Sequence, residues 1–289
     1  MEPRRIIIII TVAARALRRL ALVGGGACAC LLGQMVSTAV AAPASPREIM
    51  EKVTTTRKLD GSEAVVKMTI TGDKGQTRER EISMATKLFD GGKTEKRIYR
   101  FLSPADVQGT SILVFDYESK ADDVWIFLPA LRKTRRIVSS QNTQSFMGSE
   151  FSYGDLNIPA LDDFTYALAK EESCGSGSPS DACWVIDVLP KNKDAADSDG
   201  YSKKTYWVSK EKLAVVRGLY YDKDGKLLKE LIAGDIKLLD PKKKRYRATH
   251  MEMINKQNGR RSVFDSKKVT YAPATKDDYF TTTYLERTQ

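Results

Sequence analysis

Histidine is almost missing from this 289-residue chain, with His250 the one copy. A catalytic role for it would need a nucleophile and an orienting acid, and nothing local supplies them. Strand parity puts His250 on a face with Tyr246, Ala248 and Glu252, so it reads better as a structural or surface histidine. No group of His, Cys, Asp and Glu has metal-ligand spacing, and neither a G-x-S-x-G elbow nor a Walker-type loop occurs. The acidic pairs Asp122-Asp123 and Asp162-Asp163 fall at turns, where solvation explains them better than a paired-carboxylate mechanism. Nothing argues for an enzyme, a metal or a cofactor, so binding is the expected activity.

Interdomain linkers and internal repeats are also lacking. One domain is therefore expected over residues 42–289. Residues 1–41 read as a signal peptide: Arg15, Arg18 and Arg19 form a basic region, 20–36 is mostly apolar, and Ala39-Val40-Ala41 suits a signal peptidase. An N-terminal membrane anchor is the other reading, because about 17 apolar residues is near the lower limit for spanning. The isoleucine run 6–10 upstream is unusual for a leader and points to a start further in. Neither Cys28 nor Cys30 follows the leucine that an acylation site would need. Export to the periplasm is the expectation. Without the leader's five arginines and one glutamate, the formal charge falls from +10 to +6. In an exported protein that balance suits transient contact with anionic lipid rather than nucleic acid, or a solvated surface with a basic bias.

Cysteine is scarce, and the copies beyond the leader are Cys174 and Cys183, flanking a Gly/Ser-rich hairpin tip. In an oxidising compartment they should bridge, and closing a loop of this length stabilises a fold by roughly 2.5–3 kcal/mol on the chain-entropy account. Two free thiols is the other reading. The spacing is not that of a redox C-x-x-C.

What is present is mostly strand. A short helix is expected after Ser45, with Pro46 at its first position, Glu48 in its first turn, and Ile49, Met50 and Val53 forming one apolar stripe. The period then becomes two: Ala64, Val66, Met68 and Ile70 share a face over 63–71. Further strands are expected at 77–88, 93–102, 111–117, 124–128, 164–169, 183–189, 204–208, 214–221, 227–232, 246–253 and 262–271. The predicted class is mainly β (α+β): a single, strongly curved antiparallel sheet or incomplete barrel of about eleven strands with an N-terminal helix. An apolar inner face on such a sheet needs a helix, a loop or a ligand to fill it.

One stretch, 109–156, concentrates the candidate site. Its strands 111–117 and 124–128 are apolar or aromatic at nearly every position, which implies burial on both faces. They carry Trp125 and Phe127, expected in the cavity wall. The basic cluster Arg132, Lys133, Arg135 and Arg136 follows, with Arg135 and Arg136 either meeting an anionic headgroup at the mouth or forming a solvated edge. A loop with Phe146, Met147, Phe151 and Tyr153 comes last, as ligand lining, core anchor or both.

The run from Asp106 through Trp125-Ile126-Phe127-Leu128-Pro129 to Arg135-Arg136-Ile137, continued by 146–156 (FMGSEFSYGDL), resembles the outer-membrane lipoprotein-sorting family. These are LolA-like periplasmic proteins, often associated with RND-type (MMPL-like) exporters. Tyr206-Trp207-Val208, 221–227 and 280–285 extend the match across essentially all of 46–289. Glu150 departs from the usual Asp but keeps the charge, and the insert between Cys174 and Cys183 looks peculiar to a subset. The resemblance implies a half-open β-barrel with a lid, whose apolar cavity shields lipid or lipoprotein acyl chains in transit. An inner-membrane RND/MMPL-type transporter is the partner it implies. A non-lipid-binding accessory subunit of an envelope transport complex is the alternative.

Overall fold

The computed structural model describes residues 44–138, 141–158, 160–175 and 180–287. The expectations for the leader concern residues outside that set. Among the described residues no helix is long and apolar enough to cross a membrane.

Helix α1 (Pro46–Arg57) starts at a capping box: Ser45 Oγ accepts from the Glu48 amide at 3.2 Å, and Glu48 accepts from the Ser45 amide at 2.7 Å. Its stripe of Ile49, Met50 and Val53 is buried, as its spacing predicted. The strands are β1 (Gly61–Thr71), β2 (Thr77–Phe89), β3 (Thr94–Ser103), β4 (Ser111–Tyr117), β5 (Asp123–Leu128) and β6 (Lys133–Ile137). After a long connection come β7 (Phe164–Ser173), β8 (Ala182–Pro190), helix α2 (Lys193–Asp199), β9 (Lys203–Ser209), β10 (Val215–Tyr221), β11 (Leu227–Asp240), β12 (Arg245–Asn255) and β13 (Arg261–Tyr271). A short helix α3 (Thr282–Leu285) follows.

All thirteen strands form one antiparallel sheet ordered β6-β5-β4-β3-β2-β1-β13-β12-β11-β10-β9-β8-β7. Twelve of them match the segments expected individually, against a class expectation of about eleven, and β6 is the strand the sequence hid as a basic cluster. The order has a consequence. Strands β6 and β7 follow each other in the chain yet lie at opposite edges of the sheet. Their connection must cross the sheet from edge to edge, and its described residues 141–158 lie as a strap over one face. The sheet itself is not closed, in keeping with a half-open barrel.

Two faces result. The inner face carries Ala64, Val66, Met68 and Ile70 of β1, all buried, with Ile112, Val114, Val124, Ile126, Met253 and Phe264 around them. Strap residues Phe146 and Phe151 pack on it, while α1 packs on Phe164, Ile186, Val188 and Val208. On the outer face, Phe280 and Leu285 from the C-terminal segment cover Ala85, Ile98, Leu113 and Phe127. That second layer is why β4 and β5 are apolar on both sides.

Cys174 and Cys183 are disulfide-bonded with their Cα atoms 5.0 Å apart, at the end of the β7–β8 hairpin. Both are buried against Val185, Trp207 and Val216. Replacing both with serine should lower the unfolding free energy by about 2.5–3 kcal/mol in urea melts. A change below about 1 kcal/mol would mean that the packing, not the cross-link, holds the hairpin.

Candidate functional site

Between the inner face, α1 and the strap lies a cavity of about 670 Å³. Ala64, Val66, Ile82, Met84, Met251 and Met253 form much of its apolar wall, and Phe146 and Phe151 close it from the strap. The volume falls in the range of about 300–1,000 Å³ usual for small-molecule sites.

The strap is built to lie on the sheet. Its centre is a tight hairpin: Phe146 N donates to Phe151 O at 2.7 Å, and Tyr153 N donates to Gln144 O at 3.1 Å. Met147 and Gly148 take left-handed backbone angles (φ 51° and 80°) at its tip. The turn delivers both phenylalanines to one side. Phe151 stacks on Phe264 with ring centroids 4.6 Å apart, and Phe146 meets Tyr99, Phe101, Tyr153 and Phe264 within 6.3 Å.

Polar anchors tie the strap at three places. Glu150 accepts from Asn255 Nδ2 at 3.0 Å and pairs with Arg260, while its amide donates to Ser262 Oγ at 2.9 Å. Asp155 accepts from Tyr201 Oη at 3.0 Å, with Lys229 Nζ 3.5 Å away. Arg97 on β3 donates to Leu156 O, Asn157 Oδ1 and Asp116 Oδ2 at 2.8–2.9 Å, and Asp116 also accepts from the Ile158 amide. The Arg97 guanidinium is held above the usual arginine range: burial alone would lower it, but Tyr99, Asp116 and Glu95 more than reverse that.

Two of the eight sequence-derived binding residues, Phe146 and Phe151, line the cavity. Tyr153 and Met147 are half-buried and pack against the same apolar cluster without lining the cavity. Trp125 and Phe127 are a correction. They point to the outer face, where Phe127 meets the C-terminal segment and Trp125 meets Phe115 with centroids 5.0 Å apart. Their neighbours Val124 and Ile126 take the inner positions. The arginines split the same way. Arg135 pairs in register with Ile126 and shares its face, whereas Arg136 pairs with Trp125 and forms a salt bridge to Asp123 on the outer side. Both are exposed and neither lines the cavity.

Asp122 is a second correction. It is half-buried rather than freely solvated: it accepts from the Tyr117 amide at 3.2 Å and from Asn157 Nδ2 at 2.8 Å, and it borders the cavity. Burial and, second, the neighbouring Asp116 push its carboxyl up to about 7. A carboxyl whose pKa rises on folding stabilises the fold below the unfolded value and loses that contribution as pH climbs to the folded one. Stability should therefore fall by at least about 1 kcal/mol between pH 4 and 7 on account of this group. Urea melts across that window should show the slope, and Asp122→Asn should flatten it. An unchanged slope in the variant would assign the effect elsewhere.

Sequence reading passed over the charged wall residues. Arg97 shares strand parity with Tyr99 and Phe101, and Arg247 shares it with Met251 and Met253. An arginine at an inward position was the available signal. His250 sits outside the cavity and meets Asp265 Oδ1 at 2.6 Å across the β12–β13 pair. Among the described residues no group of three or more His, Cys, Asp or Glu is placed to hold a metal.

An open sheet whose inner face, roofed by a helix and a strap, encloses an apolar chamber defines a cavity-forming half-barrel. A family model described as that of an uncharacterized protein matches residues 93–287. The chain belongs to that family, and its fold is LolA-like. It is similar to a Vibrio parahaemolyticus domain described as outer membrane lipoprotein-sorting, with 27% identity and a TM-score of 0.74 over 84% of this chain and 98% of that one. A DUF1329 family protein from Desulfovibrio piger is 28% identical with a TM-score of 0.74, over 84% of this chain and 100% of that one. A LolA superfamily protein from Nitrosomonas europaea shares the fold at 20% identity, with a TM-score of 0.62 over 84% of this chain and 100% of that one. No curated protein sequence matches the chain at a significant level.

Proposed function

We propose that the protein is a non-enzymatic carrier that holds the acyl chains of a lipid or lipoprotein in its inner cavity. The supporting observation is the chamber of about 670 Å³, walled by apolar side chains and roofed by a strap rather than filled by core. Each methylene buried there is worth about 0.8 kcal/mol, so a long chain is held by shape and dryness without a dedicated polar contact. The periplasm is the compartment of this reading, with the outer membrane as destination. An RND-type inner-membrane exporter is the partner that would load or unload the cargo. Release requires the strap to yield, because it closes the chamber on the side away from the sheet. Arg135 and Arg136, with the half-buried Trp125 beside them, belong in this reading to the surface that a partner meets, Phe127 is core beneath the C-terminal segment, and Phe146 and Phe151 face the cargo.

Organic extraction and native mass spectrometry of the purified protein test the carrier. Lipid should be recovered at near-stoichiometric amounts, and a delipidated sample should take up a fluorescent fatty acid. A clean protein that takes up nothing would leave the accessory-subunit reading in place, with the unpaired edges β6 and β7 as its docking strands.

A further inference from the structure

Most charged groups on the inner face are paired, and Arg247 is the exception. It lines the cavity from β12, its Nε and Nη2 are buried without a hydrogen-bond partner, and it forms no ion pair among the described residues. A buried guanidinium with idle donors is costly, since each unsatisfied charged donor forfeits its solvation. The Asp116 carboxylate does not relieve it, being taken by Arg97 and the Ile158 amide. Arg57, the last residue of α1, also lines the cavity and adds a second positive charge there. Glu95 lies close enough to both Arg97 and Arg247 to favour their charged forms, but neither of its carboxylate oxygens makes a hydrogen bond and it does not line the chamber. What faces the chamber at this end is thus a pair of cations, of which Arg247 has donors to spare and Arg57 gives one to Asn157 O at 3.5 Å.

The rest of the strand supplies the other half. Met251 and Met253 share the parity of Arg247 and line the same cavity. At about 3.4 Å per residue, the six steps from Arg247 to Met253 cover roughly 20 Å of wall that runs from cationic to apolar. A long-chain amphiphile has that same polarity along its length.

We propose that Arg247, supported by Arg57, receives the oxyanion head, carboxylate or phosphate, of the amphiphile whose tail the cavity holds. This rests on the carrier reading and adds to it a headgroup class and a recognition residue inside the chamber rather than at the β6 arginines. Planar guanidinium donors match the paired oxygens of such a head and leave the tail to be sorted by length alone.

The test compares submicellar hexadecanoate with its methyl ester, binding each to the delipidated full chain and to Arg247→Gln and Arg247→Lys. The wild type should bind the anion at least about tenfold more tightly than the ester, the size of one lost charge-assisted hydrogen bond. Arg247→Gln should lose that preference while binding the ester within about twofold of wild type, which also shows that it is folded. Arg247→Lys, which keeps the charge but not the fork, should fall between them. An anion preference that survives in Arg247→Gln, or an equal loss for both probes, overturns the assignment and leaves the carrier intact. Inorganic phosphate at millimolar concentration should not displace hexadecanoate; displacement would make this a free-oxyanion site and overturn the headgroup assignment. Failure of the wild type to bind either probe overturns the carrier reading itself, and the assignment with it.

Discussion

Replacing Arg97 with methionine should cost about 3–5 kcal/mol of stability, the usual penalty for stranding the partners of a buried charge. Arg97 is 2% exposed and donates to the Asp116 carboxylate and to two strap acceptors, Leu156 O and Asn157 Oδ1. Its loss would leave Asp116 and Glu95, both buried, repelling each other without the guanidinium that ion-pairs with both, and with only the more distant Arg57 and Arg247 charges nearby. Methionine keeps the stem's packing, so the loss would report on charge and hydrogen bonds more than on volume. Urea unfolding measures the effect, and amide exchange locates it: Ile158, whose amide donates to Asp116, should exchange faster than the amides of β1. Removing the stranded acid as well, in Arg97→Met with Asp116→Leu, should recover part of the loss. A single variant within about 1 kcal/mol of wild type would mean that water takes over the arginine's contacts and that the strap is not latched there.

Phe146→Ala should cost a comparable 3–5 kcal/mol, as large aromatic truncations in cores do. The side chain is 2% exposed at the centre of four aromatic contacts, and it is also a wall of the cavity. Truncation would therefore act twice, by leaving a void and by loosening the roof. The expected signature is a lowered unfolding midpoint together with faster release of a bound fluorescent fatty acid. Phe127→Ala provides the contrast. That residue is just as deeply packed but on the outer face, against Phe280 and Leu285. It should lose stability without changing release, and equal acceleration in both variants would show that the strap is not what controls exit.

The contrast between Phe146 and Phe127 also marks how far sequence reading reaches. Alternation at Ala64, Val66, Met68 and Ile70 identified a strand with one apolar face, and Ser45-Pro46 with Glu48 identified the helix start. Those signals are local, because backbone geometry alone sets a period of two or 3.6. In β4 and β5 both faces are apolar, so parity separates Trp125 and Phe127 from Val124 and Ile126 but cannot say which set faces the cavity. The covering segment at 277–285 lies some 150 residues away in the chain. Strand β6 escaped for a related reason: a run of Lys, Thr and Arg has no apolar alternation to detect, and the β5 ladder is what makes it extended. Asp122 looks like an ordinary turn acid until Asn157 is laid beside it.

By itself, then, the sequence determined the mainly-β class, the capped helix, the disulfide pair and the family resemblance, each carried by short-range spacing or by residues adjacent in the chain. Tertiary structure alone decided that β1 and β13 pair at the middle of the sheet and that β6 and β7 end at its two edges. That order sends the β6–β7 connection across the inner face, where its described residues 141–158 turn a loop into a roof and a curved sheet into a chamber. It also decided that Arg97 would be latched and Arg247 left with idle donors, because a charged side chain's partners come from whichever distant segments pack against it, and period and composition carry no record of them.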